Sequence, residues 1–174
     1  MVKHRFTVED YHKAYAAGAL GQGRVELING EVYIMSPMGH KHRRYIGALN
    51  YEIVTKLKGK AYMFCQVPIQ LDNRSEPEPD FVLTVPPASR YDDRPPGPAD
   101  ILLVIELSDS TLIFDRTVKL PLYIRAGIPE IWIVNLLEEK LEVYRAPDYQ
   151  PVYFEKGTAV APLAFGEDRL EWWV

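Results

Sequence analysis

The sequence has little of what several classes of protein depend on. It contains one cysteine, Cys65, in 174 residues, which excludes an intrachain disulfide framework and a zinc site built from several cysteines. No apolar run is long enough to cross a bilayer, and the first residues run into a polar stretch without the apolar centre of a secretory signal. We therefore expect a cytoplasmic protein that does not associate with membranes.

The chain also lacks the strong positive charge of a typical nucleic-acid-binding domain. Its net charge is -4 and its pI is about 5.6. The charge is unevenly spread, because residues 1–75 hold 11 Lys and Arg against 6 Asp and Glu, whereas residues 76–174 hold 9 against 18. The basic excess is concentrated at residues 40–44 and 56–60. Such clusters are usually solvated helix ends, and they can also give a weak, salt-sensitive contact with phosphates.

Hydrophobic periodicity predicts a mixed α/β fold. The chain is 47% hydrophobic, which suits one compact domain that we predict to span residues 1–174. Three helices are predicted: one from the Thr7 cap to about Leu20, one after Gly39, and one over 114–126. The second carries a core stripe of Ile46, Leu49, Ile53, Val54 and Leu57. The predicted β-structure is a hairpin over 25–34 around Asn29–Gly30 and strands over 62–71, 81–85, 101–107, 130–135, 141–145, 152–155 and 170–174. Residues 86–98 carry five prolines, which predicts a surface loop that either walls a functional site or is inert.

Three charged positions stand where chemistry would need them. Asp80 opens the strand at 81–85, Glu106 closes the apolar run 101–105, and Lys119 follows thirteen residues later. Two carboxylates at adjacent strand ends can hold Mg²⁺ or Mn²⁺ while the ion keeps several waters, and a nearby lysine can position or deprotonate an attacking water. This set predicts metal-assisted hydrolysis of a phosphodiester.

Each of these residues also has a purely structural interpretation. Asp80 follows a proline, so it could simply cap a turn. Lys119 lies four residues after Asp115 on a predicted helix, where an exposed ion pair would contribute a few tenths of a kcal/mol. Glu106 is the hardest to explain in this way, because a charge on a strand buried on both faces needs a partner or a metal.

The chain resembles the PD-(D/E)XK nuclease superfamily, and within it the Uma-type bacterial putative restriction endonucleases. The resemblance covers most of the chain and is carried by these residues: Pro79–Asp80, the stretch from Ile105 to Thr111, Asp115, Lys119, Leu120, Tyr123, residues 127–129 and 132–134, residues 25–31 and His42. It implies a restriction-endonuclease-like core, in which helices flank a mixed central β-sheet, with an N-terminal helix and hairpin and a C-terminal antiparallel extension.

The resemblance implies roles for specific residues. Asp80 and Glu106 would bind Mg or Mn, with the backbone carbonyl of Leu107 as a third ligand. The superfamily pattern places a lysine two residues after the glutamate, where this chain has Ser108, and Lys119 on the following helix matches the position to which the Uma-type family has moved that lysine. The implied substrate is a nucleic acid, with DNA favoured over RNA.

Further residues complete the predicted site. Glu26 is a further acidic ligand or holds a metal-bound water, with an ordinary ion pair to Arg24 or Lys41 as the alternative. His42, Arg43 and Arg44 would contact the substrate, although a histidine at a helix start is more often simply exposed.

Two other functional classes stay open at this point. A catalytically inactive scaffold that binds nucleic acid or a protein partner is favoured by Ser108 and by the acidic pI. A small-molecule binding domain would need an apolar pocket without converging carboxylates. The C-terminal residues 172–174 could form a buried interface, so a homodimer is also predicted.

Overall fold

The computed structural model describes Met1 and residues 4–173. Its helices are α1 (Val8–Ala16), α2 (His40–Lys56), α3 (Leu112–Phe114) and α4 (Leu120–Arg125), with a π-helical turn (Asp115–Lys119) joining the last two and 3₁₀ turns at Ala88–Tyr91, Pro98–Asp100 and Leu163–Phe165. Its strands are β1 (Val25–Ile28), β2 (Glu31–Ile34), β3 (Tyr62–Cys65), β4 (Phe81–Thr84), β5 (Ile101–Ser108), β6 (Glu130–Asn135), β7 (Lys140–Arg145) and β8 (Val152–Glu155). No helix in the described part of the chain is long and apolar enough to cross a membrane.

The centre of the fold is a six-stranded sheet of order β3-β4-β5-β6-β7-β8. Only β5 and β6 are parallel, and the helical segment 112–125 forms the crossover between them. All other neighbouring strands are antiparallel. The predicted mixed central sheet and its C-terminal antiparallel extension are therefore confirmed.

Both faces of this sheet are buried, which explains why β5 reads as a continuous apolar run. Phe81, Ile105 and Trp132 are fully buried in one core, on the side of α2. Val104 and Ile133 belong to a second core, which includes residues of the segment 112–125. Because side chains alternate along a strand, Glu106 and Ser108 lie on the same face as Val104.

The hairpin β1–β2 forms where the sequence predicts it. Asn29 and Gly30 have φ angles of 51° and 78°, which are the positive values that a type I′ turn requires. A β-carbon on Gly30 would also lie 2.7 Å from the Cβ of Arg5, so close packing at this turn excludes a larger residue. The capping box of α1 is confirmed as well, since the Thr7 hydroxyl accepts a hydrogen bond from the Asp10 backbone N–H.

Several predicted boundaries are wrong, for identifiable reasons. α1 ends at Ala16 rather than near Leu20, because Gly18 takes a positive φ of 70° that helical geometry does not allow. β3 ends at Cys65, because Gln66 has a φ of 53° and leaves the strand direction. At the C-terminus, Leu170 makes only an isolated bridge to Val160.

Two predictions about burial also need correction. Val54 is 57% exposed, while the other members of the predicted α2 stripe are buried or partly buried. Trp172 is fully buried in the chain's own core, and Trp173 packs against it with ring centroids 5.8 Å apart. The predicted interface of residues 172–174 therefore loses Trp172, and its last residue lies outside the described part of the chain.

Candidate active site

A cavity of about 290 Å³ opens where β4 begins and β5 ends. Its walls come from the hairpin, from the chain leading into α2, and from the α3 region with the π-helical turn. Among the ionisable residues that meet there are Glu26, His42, Asp80, Glu106, Asp115 and Lys119, which come from separate elements. The structure thus brings together the four predicted catalytic residues and one of the three predicted substrate-binding residues.

Asp80 is fixed by three hydrogen bonds. It lies one residue before the pair Phe81–Ile105, so the antiparallel register continues to place it opposite Glu106. One carboxylate oxygen accepts the Leu107 N–H at 2.8 Å. The other lies 3.1 Å from Gln66 Nε2 and 2.9 Å from His42 Nε2. Asp80 therefore does not cap a turn, and its carboxylate has a defined orientation at the cavity.

Glu106 is only 4% exposed and carries a polar side chain into the apolar second core. Its Oε1 accepts a hydrogen bond from the Tyr123 hydroxyl at 2.6 Å and lies 3.2 Å from Lys119 Nζ. Burial raises the pKa of Glu106 to about 8, and the charges of Asp115 and Asp80 act in the same direction. Glu106 therefore takes up a proton easily, even though the Lys119 charge acts against this.

Lys119 has a different partner from the one that its spacing suggests. It is 5% exposed, and its ammonium lies 3.1 Å from Glu26 Oε2 as well as 3.2 Å from Glu106. Burial opposes its charge, but the carboxylates of Glu106, Glu26 and Asp115 raise the pKa of Lys119 above the usual value for lysine. The interpretation as an exposed pair with Asp115 is wrong, because both side chains are buried.

Lys119 lies at the end of the π-helical turn. A π-helical turn is wider than an α-helical one, and such turns are found frequently at functional sites. Here it carries Asp115 at its first position and Lys119 at its last. Asp115 accepts hydrogen bonds at 2.7 Å from both Ser108 Oγ and Thr111 Oγ1. Ser108, in the place of the superfamily lysine, thus holds an acid on the same helical segment as Lys119.

Glu26 enters the site from the hairpin. Its Oε2 accepts the Glu78 backbone N–H at 3.1 Å in addition to contacting Lys119. The alternative ion pairs for Glu26 are wrong, because Arg24 pairs with Glu78 and Lys41 donates to the Leu136 carbonyl. The hairpin forms a separate two-stranded sheet, and this buried ion pair joins it to the helical segment that carries Lys119.

The charges of this site do not balance. Its four buried carboxylates, Glu26, Asp80, Glu106 and Asp115, share one buried lysine and one histidine. Of the other charged residues in the lining, Arg24 pairs with Glu78, and Asp109 adds one more carboxylate. Burial opposes the charge of His42, but the hydrogen bond and charge of Asp80 raise the pKa of His42. With all four buried carboxylates ionised, even a protonated His42 leaves two negative charges in excess. A divalent cation would remove this excess.

The donors fit magnesium or manganese in kind and number. Among the described residues, no three His, Cys, Asp or Glu side chains form a ready metal cluster. Magnesium does not need one, because it is commonly held by one or two carboxylates and keeps several waters. Asp80 and Glu106 supply two hard oxygen donors, and the Leu107 backbone lies beside them through its hydrogen bond to Asp80.

The predicted substrate-binding residues separate in the structure. His42 is half-buried and lines the cavity, where it contacts Asp80. Arg43 and Arg44 are exposed in the first turns of α2, and neither lines the cavity. The proline-rich residues 86–98 are also absent from the cavity wall, so this loop is neither wall nor lid in the structure.

Three residues that the structure places at the predicted site have no site role in the sequence-based predictions. Asp115 is named in them as part of the family resemblance and as an alternative partner of Lys119, although its four-residue spacing could have indicated a shared helix face. Tyr123 and Gln66 donate to Glu106 and Asp80, respectively. Gln66 does so from a positive φ, a conformation that costs energy and clusters at functional sites but leaves no signal in the sequence.

The Uma2 family, whose description is "Putative restriction endonuclease", matches residues 8–170. The chain belongs to this family. Among solved structures, an Anabaena variabilis protein described as a putative nuclease is similar to this Uma2 chain, with a TM-score of 0.70 and 17% sequence identity over 96% of this chain and 95% of the other. At that identity the likeness shows the fold. No curated protein matches the chain significantly.

Membership of the Uma2 family confirms the resemblance seen in the sequence. The structural likeness over almost the whole chain also confirms the predicted nuclease-type fold. The matched region contains every residue that lines the cavity, from Arg24 to Lys119.

Proposed function

We propose that the chain is a single nuclease domain, residues 1–174, that hydrolyses phosphodiester bonds in DNA with Mg²⁺ or Mn²⁺. One observation carries the proposal: Asp80 and Glu106 stand at facing strand ends in the same cavity, and the buried Lys119 ammonium contacts Glu106. The description of the Uma2 family supports a nuclease.

Asp80, Glu106 and the Leu107 carbonyl would hold the metal ion. When bound, the ion would polarise the phosphoryl group and lower the pKa of a water molecule. Asp80 is well suited to this role because Gln66, His42 and the Leu107 N–H fix its orientation before any ligand arrives. A metal-binding side chain that is already held by such contacts loses little conformational freedom when the ion binds.

Lys119 and Glu26 would act together in the reaction. The Lys119 ammonium would face the scissile phosphate and offset the charge that builds up on its oxygens. Glu26 holds this ammonium from the side of the hairpin, so it positions Lys119 or a metal-bound water. Arg43 and Arg44 would contact phosphates outside the cavity, since both are exposed next to His42 on α2.

The proposal is tested by cleavage of supercoiled plasmid. With Mn²⁺ we expect nicking that EDTA abolishes, and Lys119→Ala should lower the rate by roughly 100-fold without weakening metal binding, because the lysine acts on the transition state. Lys156→Ala is the matched control, since Lys156 forms an exposed ion pair with Glu139. Equal cleavage by wild type and Lys119→Ala would contradict the assignment.

A second candidate function is a nuclease fold that binds nucleic acid or a protein without cutting. Ser108 favours it, because the usual lysine position holds a hydroxyl that is already bonded to Asp115. This candidate predicts DNA retention in a gel shift at low salt with no metal-dependent nicking at any protein concentration.

The predicted homodimer remains part of the proposal. Strand β8 is at an edge of the sheet, and its Val152 and Tyr153 are 51% and 59% exposed. An open apolar strand edge can pair with a second copy. Light scattering after gel filtration tests this, and a Tyr153→Lys variant should remain monomeric if β8 is the contact.

A further inference from the structure

The cavity has an aromatic wall beside its acidic one. Tyr33 and Phe114 lie with ring centroids 5.0 Å apart at an interplanar angle of 57°. Tyr33 faces Glu26 across the hairpin as its strand partner, so the two side chains project from the same face. Phe114 directly precedes Asp115. The two rings therefore stand next to the groups proposed to act on the phosphate.

This wall is fixed and continues to the cavity mouth. The Tyr33 hydroxyl donates to Glu31 Oε2 at 3.0 Å, which restrains the ring. Ile34, Met35 and Met38 extend the lining outward, and Ile34 is 77% exposed. A contiguous apolar patch rimmed by polar residues is a feature of ligand-binding grooves.

Each basic side chain of the cavity wall already has a carboxylate partner. Arg24 pairs with Glu78, His42 with Asp80, and Lys119 with Glu26 and Glu106. Among the described residues that line the cavity, these are the basic side chains, so none is left without a carboxylate partner. A rigid duplex is gripped mainly through Lys and Arg contacts to its phosphates. The cavity offers apolar and aromatic surface instead.

We infer that the site takes an unpaired nucleotide, whose base packs against the Tyr33–Phe114 wall while its phosphate lies at the Lys119 ammonium and at the cation that Asp80 and Glu106 would hold. This inference rests on the proposed nuclease function and specifies its substrate as single-stranded nucleic acid. The volume of about 290 Å³ is at the lower limit of small-ligand pockets, which fits one nucleotide rather than a base pair. Aromatic stacking suits this role because every base has a π-face and the backbone of a single strand can bend to present it.

The experiment uses one oligonucleotide with 2-aminopurine near its centre, either single-stranded or annealed to its complement. Wild type should cleave the single strand with Mn²⁺ at least roughly tenfold faster than the duplex, and binding should change the 2-aminopurine fluorescence of the single strand only. Phe114→Leu keeps an apolar side chain but removes the ring, so it should lower single-strand cleavage by roughly tenfold and abolish the fluorescence change. Phe114→Trp should retain both. Tyr33→Leu serves as a second variant if Phe114→Leu does not fold.

The outcomes separate this inference from the proposed function. Cleavage of duplex as fast as single strand, or unchanged single-strand cleavage by folded Phe114→Leu and Tyr33→Leu, overturns the inference and leaves the nuclease intact. A fluorescence change without cleavage of either form supports the base site and overturns the proposed catalysis. If the protein neither binds nor cleaves either form, both the inference and the proposed function are overturned.

Discussion

Buried carboxylates occur in two regions of this protein, and the two regions differ in how many cationic partners each carboxylate has. Away from the cavity, Glu142 pairs with Arg116, Glu130 with Arg145, and Asp100 with both Arg90 and Arg94. In the cavity, four carboxylates share one lysine and one histidine. The pKa values follow this division, since arginine contacts lower the pKa of Asp100 whereas burial raises those of Glu106 and Asp115.

The difference indicates which acids serve the fold and which serve a ligand. A buried carboxylate with its own arginine has its charge and hydrogen bonds satisfied before any ligand binds. Carboxylates that crowd together repel each other, so the isolated protein is less stable than it would be with a cation present. The two groups should therefore respond in opposite ways to the same kind of substitution.

Neutralising a cavity acid should have the largest effect, and that effect is on activity. Asp80→Asn and Glu106→Gln should each lower Mn²⁺-dependent plasmid nicking by roughly 100- to 1,000-fold, because each removes a proposed metal ligand. Glu142→Gln is the matched control, being just as buried but on the arginine-paired side. If Glu142→Gln reduced the activity of folded protein as strongly, the division between the two regions would be wrong.

Removing an arginine should have the largest effect on stability. Arg116 Nε lies 3.1 Å from both carboxylate oxygens of Glu142, which is only 1% exposed. Arg116→Met leaves that charge buried with only the Tyr144 hydroxyl as a partner, so we expect a loss of about 3 to 5 kcal/mol in urea unfolding. The double variant with Glu142→Gln should recover most of the loss. No recovery would show that the arginine acts through packing rather than through charge.

Much of this arrangement could be predicted because its signals are local. The Thr7 capping box and the Asn29–Gly30 turn depend on a few neighbouring residues, and both form as predicted. Glu106 could be recognised from the sequence because a charge at the end of the buried run 101–105 conflicts with its surroundings. These features need no knowledge of distant parts of the chain.

The partners of the charged residues could not be predicted in the same way. Lys119 is four residues from Asp115, but its ammonium contacts Glu26 and Glu106, which reach it only through the folding of the hairpin and the sheet. Gln66 breaks β3 at a positive φ to contact Asp80. Tertiary packing determines which partner each of these side chains contacts, and its effect is larger than that of spacing along the chain.

A third prediction concerns the charge repulsion inside the cavity. In EDTA, Glu106→Gln should be about 1 to 2 kcal/mol more stable than wild type, or a few degrees higher in melting temperature, because a buried acid among acids is removed. The folded-state pKa of Glu106, about 8, is above the usual value. Wild type in EDTA should therefore lose stability as the pH rises from about 4.5 to 8, since the unfolded state releases the proton first.

The variant should have a smaller pH slope, to which Asp115 and His42 still contribute because their pKa values are also raised. Mn²⁺ should stabilise wild type more than Glu106→Gln. Calorimetric scans at several pH values, with EDTA and then with Mn²⁺, measure both effects. A lower melting temperature for Glu106→Gln in EDTA, together with no response of wild type to metal, would mean that Glu106 is structural like Glu142 and would favour the binding scaffold.

The smallest expected effect is on stability, and it concerns Asp100, an acid that is paired with arginines. The prediction is how its contribution to stability changes with pH. Asp100 accepts hydrogen bonds from Arg94 at 2.6 and 3.0 Å, from the Gly97 N–H at 3.0 Å and from Arg90 Nε at 3.1 Å. The Arg94 contact, followed by those of Gly97 and Arg90, lowers the pKa of Asp100 against the effect of burial. A lowered folded-state pKa means that the stabilisation is complete above the unfolded-state value of about 3.9 and disappears as the pH falls below it.

Asp100→Asn should therefore be less stable than wild type at pH 7, and the difference should shrink toward pH 2. We expect only about 1 kcal/mol, because Arg90 and Arg94 are about half exposed and regain water when the acid is removed. Urea unfolding at pH 7, 4 and 2.5 measures it, with the exposed Asp93→Asn as the control in the same loop. The trend is opposite to that of Glu106, which destabilises the folded protein more as the pH rises. A difference that stayed constant down to pH 2.5 would mean that Asp100 contributes through its backbone cap at Gly97 rather than through its charge.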